Sequence, residues 1–208
     1  MRSAARTQRC GSVVDPAGKR PPDALDALHW AAARGNPIEV RRALRDGDHP
    51  INAGFIDKPS GPDWRAATAL FSACSHGHSD CVQLLLAAHA AVDHPSNNGD
   101  TPLYTASGLG HSDCVQLLLA SHAALDQPAS NGATPLLTAL LRRQDTVALV
   151  LIAARADVTA VLNDERGALH CAAFTGSSVP VCEALLAAGA ACDARDAKGR
   201  TVRAPCFC

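Results

Sequence analysis

Four leucines, Leu70, Leu103, Leu136 and Leu169, recur every 33 residues along this 208-residue chain. A fixed interval of that length marks one supersecondary unit repeated along a line, so the expected architecture is a stacked solenoid rather than a single closed core. In phase with the leucines stand Thr68-Ala-Leu-Phe71, Thr101-Pro-Leu-Tyr104, Thr134-Pro-Leu-Leu137 and Gly167-Ala-Leu-His170, with Asp26-Ala-Leu-His29 as an earlier copy. Each opens a short Ala-rich helix, and a second helix follows. The segments Asp80-Cys-Val-Gln-Leu-Leu-Leu86 and Asp113-Cys-Val-Gln-Leu-Leu-Leu119 are identical, which points to one unit copied with the same faces buried.

Residues 97–126 show the physics of one unit. Asn98-Gly99 supplies a turn with a residue free to take positive φ. Thr101 caps the first helix through its hydroxyl, and Pro102 sits at the first helical position, where a missing N–H costs nothing. Ala106 and Ser107 let the neighbouring helix approach. Gly108 and Gly110 are expected to end that helix, and Ser112 or Asp113 to begin the next by accepting orphan backbone N–H bonds. Val115, Leu118 and Leu119 form the inward stripe at helical spacing. Burial of Leu118 is worth about 2–5 kcal/mol by analogy with Leu→Ala cavity variants.

These residues resemble the ankyrin repeat, whose pattern runs Thr-Pro-Leu-His, Ala-Ala, Gly-His, a Val-x-Leu-Leu-Leu helix and Gly-Ala-Asp. The resemblance covers residues 23–203. It implies an all-α ankyrin-repeat solenoid of helix-turn-helix units joined by β-turn or hairpin tips, with units at about 23–52, 63–95, 96–128, 129–161 and 162–195 and a partial sixth at 196–203. Residues 1–22 are read as a disordered tail, and 204–208 as a second tail too short to cap the last apolar surface. That ending fits a truncated or alternatively ended product, or a partner covering the face.

Several positions depart from the pattern. His89, His122 and Arg155 stand where a glycine should follow the second helix, and Arg155 predicts a strained or altered cap. The fourth unit carries Leu140-Leu141 in place of small residues and Arg143-Gln144 in place of Gly-His, which weakens its register. The fifth gains a residue near Ser178 and places Glu165 at a turn glycine. The 42 residues from Leu28 to Leu70 imply a nine-residue insertion around Ile56 to Asp63, emerging as a longer loop.

Composition excludes several classes of function. The chain is 47% hydrophobic but only 3% aromatic, which suits thin helices packed around small residues. With 19 basic and 20 acidic residues the net charge is −1, so no overall field draws nucleic acid or anionic lipid. Arg41, Arg42 and Arg45 read as a solvated face rather than a nucleic-acid patch. No run approaches the ~18 apolar residues of a membrane span, so a soluble protein is expected, and no secretory signal opens the chain; the expected state is a monomer. Nine cysteines, an odd number scattered on helices, favour a reducing compartment, cytoplasmic or nuclear. The early Arg2, Arg6 and Arg9 fit an organelle transit peptide or, more simply, a basic tail.

Motifs of catalysis are missing: no nucleophile elbow, zinc-protease helix, phosphate loop or dinucleotide glycines. The expectation is a non-enzyme without a cofactor. His76-x-His78-x-x-Cys81 and His111-x-x-Cys114 carry metal-like spacing, but repetition on successive units points these side chains in parallel rather than toward one ion. They read instead as turn histidines bonded to backbone and small buried thiols, with no metal and no disulfide between Cys81 and Cys114. Cys206 and Cys208 form an exposed thiol pair without supporting context.

Recognition is therefore the expected function. In ankyrin-like stacks the turn tips and first helices line one concave side, which implies Trp64, Arg65, Asn97, Asn98, Asp100, Ser130, Asn131, Ala133, Asp164 and Arg166 as partner-binding positions. Ser75, His76, Leu109, Arg142, Phe174 and Thr175 lie at the rim. Trp64 is either a binding hot spot or is tucked under the insertion. Tyr104, where the family has His, either caps or fills a groove between repeats, and Trp30 shields the N-terminal end of the stack. The partner is an unidentified protein. A second resemblance, of the Cys-Val-Gln-Leu-Leu-Leu helices to ankyrin proteins with a SOCS box, implies a substrate-recognition subunit of a ubiquitin ligase, but no such box follows residue 200.

Overall fold

The structure, a computed structural model, describes residues 24–46, 51–52, 68–192 and 194–201. Within these, ten helices form five consecutive hairpins: α1 Ala24–Ala33 with α2 Pro37–Asp46, α3 Ala69–Ser75 with α4 Ser79–Ala87, α5 Pro102–Leu109 with α6 Ser112–Ala120, α7 Pro135–Leu141 with α8 Asp145–Ala153, and α9 Ala168–Thr175 with α10 Val179–Ala187. The odd-numbered helices pack in one row and the even-numbered in another, the inner, odd row more closely. Small buried residues allow that approach, among them Ala69, Ala73, Ala106, Ser107, Ala139, Ala168 and Ala172. The four periodic leucines are all in the core, none more than 4% exposed. The insertion around 56–63 and the tails 1–22 and 204–208 lie outside the described residues.

The threonine caps form as the sequence requires. Thr68, Thr101 and Thr134 hold extended backbone, and their hydroxyls accept the N–H of Phe71, Tyr104 and Leu137 at 3.2, 3.1 and 3.4 Å. Each is worth about 1 kcal/mol. Gly167 heads α9 without a side-chain cap.

The second helices start differently from expectation. His111 occupies the N-cap of α6, and neither Ser112 nor Asp113 caps it through a side chain; His78 stands in the same way before α4. Asp113 instead lies in the first turn, where its charge complements the helix dipole. The histidine serves the joint between units: the Nε2–H of His78 donates to the carbonyl of Ala33 at 3.1 Å. Its ring also lies over Gly35, and His111 lies over Gly77, where a Cβ would stand 2.6 Å from the ring. Glycine is thus favoured at position 77 by a φ of 74° and required there by this contact. Arg143 holds the equivalent turn at φ 57°, and the matching residue of the next unit is the small Ser177, so the fourth unit keeps the same hairpin.

Gly108 does not end α5; the helix runs through it to Leu109 and is capped by the left-handed Gly110. A Cβ at 108 would stand 2.7 Å from the Thr138 methyl, so this glycine admits the neighbouring inner helix. Arg155 keeps the left-handed turn rather than altering it. His89, His122, Arg155 and Glu165 take φ of 62°, 61°, 68° and 63°, each at a cost of roughly 1–2 kcal/mol. Val115 and Leu118 are fully buried, whereas Leu119 is half-buried at the edge of the stripe.

A second set of bonds couples the units. The side-chain oxygens of Asn52, Asp93 and Asp126 accept the backbone N–H of Ala91, Ala124 and Asp157 in the following unit, at 2.7, 2.8 and 2.9 Å. Asp145 does the same for Ser178 at 2.8 Å.

Candidate functional site

The tips preceding α5, α7 and α9, and the one after α10, are built alike. The N–H of the first residue donates to the carbonyl of the fifth: Ser96 to Asp100, Ala129 to Ala133, Leu162 to Arg166 and Asp196 to Arg200, at 2.9, 3.0, 3.0 and 3.0 Å. The first residue of each is buried, and the fourth, Gly99, Gly132, Glu165 or Gly199, takes positive φ. Isolated antiparallel bridges, Val161 with Gly167 and Arg195 with Thr201, tighten the last two.

Two of the three neighbouring pairs of tips are joined. The hydroxyl and N–H of Ser130 both donate to the carbonyl of Asn98, and the N–H of Ala197 donates to that of Asp164 at 3.1 Å. Ser130, though exposed, is therefore engaged in holding two tips together. Asn131 accepts the N–H of Ala133 at 3.0 Å, a turn contact of its own. Asp164 and Arg166 pair with each other, Nε to Oδ2 at 2.8 Å, and the Arg166 guanidinium lies 5.7 Å from the centre of the Phe174 ring. Asn97 and Asn98 are exposed, with no side-chain bond among the described residues. Trp64 and Arg65 lie outside the described residues.

The structure brings Asn98 and Asp100 together with the rim residues Ser75 and His76. These four, with Phe71, Ser96 and Thr105, line an open groove of about 290 Å³ between α3 and the following tip. Phe71 and Thr105 escape a sequence reading, because they become part of a groove only when two units stack. The available signal was Phe71 itself, at the position where the pattern has histidine. In the fifth unit that position is His170, whose Nε2–H donates to the Arg200 carbonyl of the next tip at 3.1 Å. Phe71 offers the corresponding tip only an apolar surface. Burial accordingly pushes the Asp100 carboxyl above the usual range.

Other rim residues divide. Leu109 and Phe174 are exposed, at 49% and 78%, whereas the Thr175 hydroxyl donates to the carbonyls of Leu140 and Cys171 at 3.1 and 2.9 Å and is structural. Tyr104 is half-buried against the core. Trp30 is half-buried in α1, with Arg34 over its ring at 5.6 Å.

Of the metal-like histidines, His76 and His78 are engaged with backbone, whereas the His111 ring makes no hydrogen bond among the described residues and lies against Gly77. The Nδ1–H of His76 donates to Ser72 O at 2.9 Å, and the His76 and His78 rings stack at 5.9 Å. Among the described residues no three His, Cys, Asp or Glu converge to hold an ion. Cys81 and Cys114 are buried, and burial first, then Asp113, pushes the Cys114 thiol up to about 11. Such thiols stay protonated at neutral pH and act as small apolar fillers. No helix among the described residues is long and apolar enough to cross a membrane.

Five helix hairpins in register, the last three each opened by a bonded tip, define a helical repeat solenoid. Profiles of known families agree: one described as "Ankyrin repeats (3 copies)" matches residues 10–93, 28–128 and 88–162, and one described as "Ankyrin repeat" matches 164–197. The chain belongs to the ankyrin repeat family, whose repeats serve as protein–protein interaction modules and are generally non-enzymatic. Among curated relatives, Cortactin-binding protein 2 of Ornithorhynchus anatinus is 39% identical over 84 residues, 40% of this chain. That of Rattus norvegicus is 40% identical over 74 residues, 36% of the chain. In both cases the match spans about 4% of the relative's length.

Proposed function

We propose that this chain is a non-enzymatic binding protein that holds a protein partner against its tips and inner helices. One observation carries the reading. The tips are bonded in two pairs, through Ser130–Asn98 and through Ala197–Asp164, while Asn97, Asn98 and Asn131 remain exposed along that row. A surface ordered in advance binds without the cost of ordering it, which is what a recognition face needs and a solvated loop row lacks. The buried free cysteines support a reducing setting, cytoplasmic or nuclear.

The test compares capture of purified candidate partners by the wild type and two variants. Cortactin is a rational first candidate because the relatives are named for binding it, although the reading does not depend on that protein. One variant, Asn97→Ala with Asn98→Ala and Arg166→Ala, alters the tips. The other, Gln83→Ala with Gln116→Ala, alters exposed positions on α4 and α6. Loss of capture by the tip variant alone supports the reading. Loss by the outer-helix variant alone moves the interface to the opposite flank and sinks it.

A further inference from the structure

The groove between α3 and the tip that opens the third unit, residues 96–100 and hence the third tip, holds a carboxylate that the fold leaves without a counter-charge. Asp100 is half-buried, and its side chain makes no hydrogen bond or ion pair among the described residues. The two tip aspartates Asp164 and Asp196 are answered within the chain, and Glu165 is left in solvent. Asp164 meets Arg166, and Asp196 meets Arg200 with Nε to Oδ2 at 2.7 Å. Arg200 occupies in its tip the place that Asp100 occupies here, so the third tip carries an acid where the last carries a base.

The surroundings match a cation. The groove is lined by Phe71, Ser75, His76, Ser96, Asn98 and Thr105 beside Asp100, with neither lysine nor arginine among them. With its Nδ1–H given to the Ser72 carbonyl, the His76 ring leaves Nε2 to accept in that tautomer. The hydroxyls of Ser75 and Thr105 and the Asn98 amide oxygen can accept as well. At about 290 Å³ the groove falls just under the usual range of small-molecule pockets and suits one long side chain. Phe71 provides an apolar wall for the methylene stem.

We propose that this groove receives a single arginine side chain from an extended partner segment, with Asp100 as its counter-charge and the His76 and Thr105 acceptors sharing the guanidinium donors. Arginine is chosen over lysine because its planar fork reaches several acceptors at once and is less strongly hydrated. Burial already disfavours the bare Asp100 carboxylate, and an arriving cation offsets that penalty. The inference rests on the reading that the tip-bearing face is the recognition face.

The experiment is an amide chemical-shift titration of the full chain with acetyl-Gly-Arg-Gly-amide at about pH 8 and low ionic strength, since salt screens open ion pairs. The neutral isostere acetyl-Gly-citrulline-Gly-amide is the control. Millimolar binding is expected, with shifts centred on Ser75, His76, Asn98 and Thr105, and about tenfold weaker binding of citrulline, the scale of one charge-assisted hydrogen bond. Asp100→Asn should erase the preference for arginine while leaving the spectrum dispersed. Equal shifts from both peptides on the wild type overturn the proposal, a comparison that needs no variant to fold. Shifts centred elsewhere overturn it too, as does a preference that survives in Asp100→Asn. If arginine fails here while the tip variant above still loses its partner, this inference falls alone; if arginine binds but the tip variant keeps its partner, the recognition reading falls instead.

Discussion

The third tip, residues 96–100, and the fifth, residues 162–166, share one backbone and carry opposite chemistry. Both close through the same bond from first to fifth residue, at 2.9 and 3.0 Å, and both place a left-handed residue fourth. In the third that residue is Gly99 and the last is the unpaired Asp100. In the fifth they are Glu165 and Arg166, whose charge is consumed by Asp164 and whose guanidinium leans over Phe174. The fold thus fixes where a tip sits but not what it offers. One tip is satisfied from within, and the other presents a debt of charge to whatever docks beside it.

The largest effect tests whether the two tips stand on equal foundations. Leu103→Ala beneath the third and Leu169→Ala beneath the fifth should each cost about 2–5 kcal/mol in urea unfolding, because both side chains are buried. A loss well under 1 kcal/mol at either site would show that its unit is not packed as the other is.

Acid sharpens the contrast between paired and unpaired tip acids. The hydrogen bond from Arg200 holds the Asp196 carboxyl down to about 2, below the ordinary value of 3.8, so its contribution is present above that ordinary value and is lost as pH falls toward 2. Asp100 is shifted upward by burial, and its sign is reversed: its penalty is absent at low pH and grows as pH rises past the unfolded value. Unfolding followed across this acid range should therefore show Asp196→Asn flattening the acid loss and Asp100→Asn steepening it. Matching changes in the two variants would contradict the comparison.

Glu165→Gly makes the fifth tip resemble the third in backbone. Relief of the left-handed strain, less the entropy glycine loses on folding, should stabilise by roughly 0.5–1 kcal/mol, read as a raised urea midpoint. A destabilised variant would mean that the Glu165 side chain supplies a contact exceeding the strain. Smallest is the Asp164–Arg166 pair, exposed enough that a double-mutant cycle should give about 0–1 kcal/mol. A larger coupling would make that tip more rigid than its openness suggests.

Much of the scaffold was legible because a repeat states the same instruction several times. Leu70, Leu103, Leu136 and Leu169 announced the buried line, and Thr68, Thr101 and Thr134 announced the caps, since both depend on neighbours within a few residues. Gly108 was misread because a glycine near a helix end has two uses, and only the nearness of Thr138, thirty residues on, selects close approach over termination. His111 displaced Ser112 and Asp113 as the cap for a similar reason: its ring lies against Gly77 of the preceding unit. In the candidate site the tip positions were readable from the period, whereas their pairings were not. Whether Asp164 turns to Arg166, or Phe71 walls the groove beside Asp100, depends on side-chain directions that exist only after stacking.

The forward reach of Asn52, Asp93 and Asp126 has an evolutionary corollary. Because each acceptor serves only the next hairpin, excising residues 96–128 would present Asp93 with the amide of Asp157 in place of that of Ala124, and the seam could heal with an equivalent bond. The molecule is in this sense editable by whole modules: its length can change by splicing out or inserting a copy, with a single junction to reconcile each time.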